Sequence, residues 1–338
     1  MLILKNDSFI SGYNLDFVHE VEINSSWDNL TDTATLVIPK KLVFKRDGQV
    51  VDNIVKGNDP IFNIGDSGVL SAGYDGGIRF SGVTERFKGF ISDVKPNLPI
   101  DMRLEDRMYK LKQKKVGIYS KKNLTISAVL KDIISDDLGV SDIISDDRNI
   151  GYLRIKDPNT TVAGVLEHLK KTQGVISYFR GDTLVSGFAY ITENPAGSPN
   201  NLIFDARKNI IDGSNLEFIK NDEYNINLTV ISIYPDNTKI EISVGDDEGD
   251  KRTIYVYDVP KVDLQSRADQ ELLKFKYEGF RGSFETFLEP EVKHGDSVTL
   301  IDDKITDRND TYLVKSVTTR YGVSGGRQVI ELDRKIDE

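Results

Sequence analysis

The sequence predicts an α+β, mainly β protein: two related β-barrel domains with a small α/β domain inserted between them. Three observations carry that prediction. Apolar and polar residues alternate in many short segments towards both ends of the chain, two helical stripes fall together between residues 118 and 200, and three short segments of the N-terminal part recur in order in the C-terminal part. With 338 residues the chain is long enough for two or three domains, each with its own core.

The alternation starts after Asp16, where Phe17, His19, Val21 and Ile23 share one phase, and resumes at Ala34, Leu36 and Ile38 before Pro39. Period two marks strands with one buried face. Turn-rich sequence follows, with Gly65-Asp66-Ser67, Gly73-Tyr74-Asp75-Gly76-Gly77 and Gly82, and then strands over Phe87–Val94 and Met102–Leu104. Next, Ile126, Val129, Leu130, Ile133 and Ile134 take helical spacing behind Thr125, a good N-cap. A second helix begins near Thr160, carries Val162, Val165, Leu166 and Leu169 on one stripe, and ends at Gly174. Strands over Val175–Phe179 and Leu184–Ile191 complete an α/β domain.

Beyond the Asn- and Pro-rich segment Glu193–Asn201, Tyr224, Ile226, Leu228 and Val230 alternate, Pro235-Asp236-Asn237 turns the chain, and Ile240, Ile242 and Val244 alternate back. One helix interrupts the strands, with Leu264, Ala268, Leu272 and Phe275 on a stripe and Asp263 as its N-cap. Strands near Val298, Tyr312–Thr318 and Val329–Leu332 end the chain. The predicted division is an N-terminal β-barrel domain at 1–117, an inserted α/β domain at 118–200, and a second β-barrel domain at 201–338 with one helix at about 263–278.

The internal echo links the outer domains. Gly65-Asp66-Ser67 recurs as Gly295-Asp296-Ser297, Phe90–Val94 lines up with Leu313–Val317, and Arg103-Leu104-Glu105-Asp106 has its counterpart in Ile330-Glu331-Leu332-Asp333. Gly-Asp-Ser alone is ordinary turn chemistry; shared order is what suggests two similar barrels.

Composition excludes several function classes. No cysteine is present, which removes disulfide frameworks, thiolate metal sites and cysteine nucleophiles. Lys and Arg number 44 against 54 Asp and Glu, a net charge of −10 that opposes binding to nucleic-acid phosphate in the absence of a segregated basic patch. The start, MLILKNDSFI, has too short an apolar run for a signal peptide, and no segment has the ~18 apolar residues of a membrane helix. Folding in a cytoplasm is expected.

Candidate chemistry is sparse. His19, His168 and His294 are the histidines; one lies on the apolar phase of a strand, one on a helix and one before a turn, and all three read as structural. Gly322-Val323-Ser324-Gly325-Gly326 fails the spacing of a nucleophile elbow and reads as a hairpin tip. The run Asp132-Ile133-Ile134-Ser135-Asp136-Asp137 repeats as Asp142-Ile143-Ile144-Ser145-Asp146-Asp147, and Asp246-Asp247-Glu248-Gly249-Asp250 tips a turn. Such oxygen-rich runs suit calcium, but neither has the spacing of an EF-hand loop, and solvated loops are the simpler reading. A glycosidase needs two facing carboxylates, which 54 acidic residues neither reveal nor exclude. One Trp, Trp27, against 14 Tyr and 15 Phe argues against a sugar-binding platform. No catalytic, cofactor-binding or metal residue is predicted.

One stretch goes beyond composition: Phe87-Lys88-Gly89-Phe90-Ile91-Ser92-Asp93-Val94, then Pro96, Pro99-Ile100 and Leu104-Glu105-Asp106-Arg107-Met108-Tyr109-Lys110-Leu111. It resembles the phage tail baseplate hub proteins of the late control protein D family, relatives of the hub part of type VI secretion spike proteins. In order with it, Leu30–Pro39 looks like that family's first strand, Ile64-Gly65-Asp66 through Gly73-Tyr74 like its next turn and strand, and Ala268–Gly279, His294–Val298, Tyr312–Val314 and Ile330–Leu332 like its closing helix and barrel. The likeness spans residues 16 to 335.

The resemblance implies a structural, non-enzymatic hub of a phage or prophage tail, or of a phage-like injection device. Three copies would form a ring of six barrels with pseudo-sixfold symmetry, joining the tail tube to the central spike, with the N-terminal barrel completed by a strand from residues 200–217. The chain stops soon after the second barrel, so a separate spike protein is expected. Other expected partners are the tail tube or distal tail protein and further baseplate proteins; DNA or cargo passes the channel without specific binding, and the location is the virion baseplate, assembled in the bacterial cytoplasm. The readings from other classes are a β-rich cell-wall glycan hydrolase using paired carboxylates and a glycan-binding adhesin.

Overall fold

The structure, a computed structural model, describes residues 3–15, 17–39, 44–46, 49–51, 55–56, 59–75, 82–95, 99–145, 149–188, 202–220, 225–234, 238–257, 259–273, 276–302 and 304–336. Asp16, Gly76-Gly77, Pro96, Asp146-Asp147, the segment Glu193–Asn201, Tyr224, Pro235-Asp236-Asn237 and Phe275 lie outside them.

As the alternation requires, the protein is mainly β. The N-terminal half has β1 (Ile3–Asn6), β2 (Ser8–Ile10), β3 (Tyr13–Leu15), β4 (Glu20–Ser26) and β5 (Thr33–Ile38), then the short β6 (Phe44–Arg46), β7 (Gln49–Val51), β8 (Val55–Lys56) and β9 (Asp59–Pro60), then β10 (Ser67–Asp75), β11 (Gly82–Lys95) and β12 (Ile100–Glu105). Its antiparallel order runs β10, β11, β12, β5, β4. Ala34, Leu36 and Ile38 point into a core with Leu70, Ile91 and Leu104, all fully buried; each leucine or isoleucine side chain contributes about 1.5–3 kcal/mol on burial. Helix α1 (Met108–Gln113) follows.

The inserted segment holds β13 (Tyr119–Thr125), α2 (Ile126–Ile133), β14 (Asp142–Ser145), β15 (Asn149–Ile155), α3 (Val162–Gln173), β16 (Val175–Arg180) and β17 (Thr183–Phe188). Both helices start where the sequence says. The Thr125 hydroxyl accepts from the Ala128 N–H, the Thr161 hydroxyl accepts from the Gly164 N–H, and Gly174 ends α3 at φ +68°. Their apolar stripes share one core with Met108 and Leu111 of α1.

The C-terminal half begins with β18 (Leu202–Asp205), β19 (Ile210–Asp212) and β20 (Leu216–Ile219) and ends with β24 (Gly279–Thr286), β25 (Ser297–Ile301), β26 (Asp310–Gly322) and β27 (Gly325–Lys335). Between them, β21 (Ile226–Ile233), β22 (Lys239–Gly245), β23 (Asp250–Tyr257) and α4 (Lys261–Leu273) build a separate three-stranded sheet and helix with its own core around Leu228, Val230 and Leu264. This differs from the single barrel expected over 201–338. The predicted hairpin forms, but β23 then joins β21 in parallel, a non-local pairing with no local signature.

The echo is real, and its geometry is shared in detail. The Gly65 N–H donates to the Ile91 carbonyl at 2.8 Å and the Ile91 N–H to the Asp66 carbonyl at 2.8 Å; in the other half Gly295 and Asp296 make the same pair of bonds with Val314, at 2.7 and 2.9 Å. Each turn is closed by its aspartate, whose Oδ2 accepts the N–H three residues back, from Asn63 in one half and Lys293 in the other. Each following strand has an irregularity just beyond, at Ser92 and at Lys315. The third segment is shifted by one from the sequence alignment: Leu104 opposite Ile91 corresponds to Leu332 opposite Val314.

Other expectations about individual strands and caps are corrected. Residues 202–219 do not complete the N-terminal half; β18 pairs with β25 and both β19 and β20 pair with β24, because the C-terminal half needs them to cover its own core around Phe204 and Phe284. The mainly β expectation holds, and the two halves join in one 17-stranded sheet through an antiparallel seam of β4 with β26, from Ser26 opposite Ser316 to Glu20 opposite Gly322. The strand expected from Phe17 onward starts only at Glu20, as β4, so Phe17 and His19 are exposed while Val18 is buried. Asp263 sits inside the first turn of α4 instead of capping it.

Candidate functional site

The polar groups concentrate where both sheet halves meet the inserted unit. A cleft there is lined by Ile23, Asp32, Arg86, Asp106, Arg180 and His294, among others. Asp32 comes from the β4–β5 connection, Asp106 from the corner between β12 and α1, His294 and Asp296 from the Gly-Asp turn before β25, and Arg180 from the end of β16.

His294 is buried, and its Nε2 lies 3.2 Å from Asp32 Oδ2. The Tyr178 ring packs edge-on against the imidazole at 4.9 Å, and burial pushes the Tyr178 phenol up to about 12. Arg180 donates through Nη2 to the His294 carbonyl at 2.6 Å and to Asp296 Oδ1 at 2.8 Å. Arg86, whose side chain is 3% exposed, meets Glu289 at 2.9 Å and Glu291 at 3.3 Å. Asp182, in the β16–β17 turn, holds both Lys88 and Arg107; burial pulls its pKa up, but those two cations outweigh it and keep the carboxyl below its ordinary range.

Two carboxylates do come together here, as the hydrolase reading requires. Asp106 is held well above its ordinary range by burial first and by the Asp32 charge second. Each oxygen nevertheless has a structural partner. Asp106 Oδ1 accepts the Met108 N–H at 2.9 Å and Oδ2 the Asp32 N–H at 3.2 Å, while Asp32 Oδ1 accepts the Ser26 N–H at 3.0 Å and Oδ2 faces His294. The arrangement suits a weld between three chain segments better than attack on a substrate.

The other residues singled out by sequence stay apart from this junction. His19 and His168 are exposed, and Gly322–Gly326 is the tip of the β26–β27 hairpin with Gly322 opposite Gly325. The duplicated acidic run takes two forms: the first copy ends α2 and enters a 3-10 turn, whereas Asp142–Ser145 is strand β14. Among the described residues no three His, Cys, Asp or Glu side chains are grouped to hold a metal ion, and no helix is long and apolar enough to cross a membrane. Asp32, Asp106 and Arg180 were missed as a group. Only Asp106, just ahead of Met108 at a helix start, carries a local signal.

The fold with its paired halves invites comparison with solved structures. The chain shares its fold with phage tail proteins. A tail protein from Neisseria meningitidis superposes with a TM-score of 0.67 at 16% identity, covering 99% of this chain and 97% of that one. The 43 kDa tail protein of prophage MuSo2 from Shewanella oneidensis gives 0.63 at 17% identity, with 98% of each chain covered. An E. coli component of the type VI secretion system, described as structurally similar to the T4 bacteriophage tail proteins gp27 and gp5, gives 0.55 at 12% identity over 99% of this chain and 77% of that one. No protein-family model and no curated protein matches the sequence. The tail-protein fold therefore extends over almost the whole chain, insertions included.

Proposed function

We propose that this protein is a structural baseplate hub of a phage or prophage tail, or of a phage-like injection device, without catalytic activity. Three copies form a ring of pseudo-sixfold symmetry that receives the tail tube on one face and a separate spike protein on the other. The observation that carries the reading is the duplicated Gly-Asp turn and strand irregularity in two halves of one sheet. Two equivalent units per chain are what a threefold assembly needs to offer six similar positions to a sixfold tube. The tail-protein fold supports the same reading, as does the polar junction, which fixes the two halves and the insert relative to one another. With acidic residues lining the channel, the net charge of −10 would discourage DNA from adhering to its wall.

The test is absolute mass by light scattering on a sizing column at several concentrations, with negative-stain imaging of the same peak. A ring-shaped particle near 114 kDa, three times 38.0 kDa, is expected. A strict monomer at every concentration, with and without a tail-tube protein added, overturns the ring.

A further inference from the structure

The seam between the two halves of one chain contains the pattern of a second seam, between chains. Strand pairing sets the equivalences. Met102 lies between Leu36 and Val94 as Ile330 lies between Phe284 and Val317, so β11 corresponds to β26 and β5 to β24. Asn24 opposite Thr33 then corresponds to Glu217 opposite Arg281, which makes β20 the counterpart of β4. Within the chain β4 pairs with β26. Their counterparts, β20 and the far end of β11, do not pair with each other: past Ser92, β11 is joined only to β12, and β20 is joined only to β24, among the described residues.

We infer that β11 of one copy and β20 of a second copy repeat the β4–β26 seam. This rests on the ring reading above and names its contact surface. The intrachain register places Ser26 opposite Ser316, Ser25 opposite Val317 and Asn24 opposite Thr318. Transferred by equivalence, Ile219 faces Asp93, Phe218 faces Val94, and Glu217 faces Lys95. The chemistry of the transferred pairs is complementary. Phe218 and Val94 are both apolar, and Lys95 meets Glu217 with opposite charge, both residues being exposed in the isolated chain. Thr318 Oγ1 donates to Asn24 Oδ1 at 3.0 Å at the corresponding intrachain position, so that site already carries a side-chain contact across the seam. A contact between two different edges of the same chain is head-to-tail, and such contacts close into rings when their rotation allows.

Because the chain has no cysteine, the test is direct. Lys95→Cys and Glu217→Cys are introduced together and singly, and the full-length protein is treated with a short thiol-bridging reagent. The double variant is expected to give a covalent ladder ending at the closed ring, while each single variant stays uncrosslinked. As a second readout, Lys95→Glu is expected to raise the concentration needed for assembly several-fold, and adding Glu217→Lys to restore it. Assembly of normal mass without a ladder, with Lys95→Glu neutral, overturns this contact and leaves the ring reading standing. A chain that neither assembles nor crosslinks overturns both.

Discussion

His294 and Asp32 lie 262 positions apart in the chain, and their side chains meet at 3.2 Å in the interior. One belongs to the Gly-Asp turn of the C-terminal half and the other to the first β connection of the N-terminal half. Around them, Arg180 brings in the inserted unit by holding Asp296 and the His294 carbonyl. Lys170 adds a second tie to the same connection through Asp28. The three units are thus joined through side chains presented by turns, and the sheet seam supplies the backbone part of the join.

The equivalent aspartates should differ in what they contribute. Asp66 and Asp296 close the same turn, but Asp296 also faces Arg180, with side chains 11% and 14% exposed. Asp66→Ala removes a turn acceptor, a loss of about 1 kcal/mol. Asp296→Ala in addition leaves a buried guanidinium with one partner fewer, and about 3 kcal/mol or more is expected. Urea unfolding monitored by the Trp27 fluorescence measures both; equal losses would show that the Arg180 contact contributes nothing.

Asp106 should make stability fall as pH rises. Its carboxyl is held above the ordinary 3.8 by burial and by Asp32, so in the window between that value and the raised one the folded state binds more protons than the unfolded chain. Unfolding free energy then decreases with increasing pH across the window. Carboxylates held low, such as Asp182 by Lys88 and Arg107 and Glu22 by the Asn24 amide and then by Arg320, act in the opposite sense, and only below the ordinary carboxylate range. Unfolding midpoints collected from pH 4 upward should decline for the parent, and this component should vanish in Asp106→Asn. An identical slope in the two proteins contradicts the assignment.

Most of what is local was legible in the sequence. Ala34, Leu36 and Ile38 are fully buried because period two leaves a strand no other way to face a core, and the Thr125 and Gly174 caps follow from helix ends alone. Local rules failed where context decides. The two copies of Asp-Ile-Ile-Ser diverge because the first continues the amphipathic face of α2, whereas the second is pulled into parallel pairing with β17. The sheet of β21, β22 and β23 was merged with its neighbours because its parallel pair forms across the intervening β22. The junction was invisible for the same reason: nothing near Asp32 in sequence announces His294.

Gly322 should be indispensable to the intrachain seam. It ends β26 at φ +153°, opposite Glu20, and a Cβ there would stand 2.3 Å from the His19 carbonyl oxygen. That oxygen already accepts the Val323 N–H at 3.1 Å, so it cannot retreat without breaking the bond that fastens the hairpin tip to the start of β4. Gly12 provides the comparison, since its φ of +86° also disfavours a side chain but nothing lies within 4 Å of the added atom. Gly12→Ala is expected to cost about 1 kcal/mol from backbone conformation alone. For Gly322→Ala the steric overlap adds to that, and a total of about 3 kcal/mol is expected. Amide exchange locates the damage: protection should drop along Glu20–Ser26 and Ser316–Gly322 in Gly322→Ala while the α2–α3 unit is unchanged. Equal destabilisation by the two substitutions, or undisturbed protection along the seam, would mean that the close approach at His19 does not fasten the halves together.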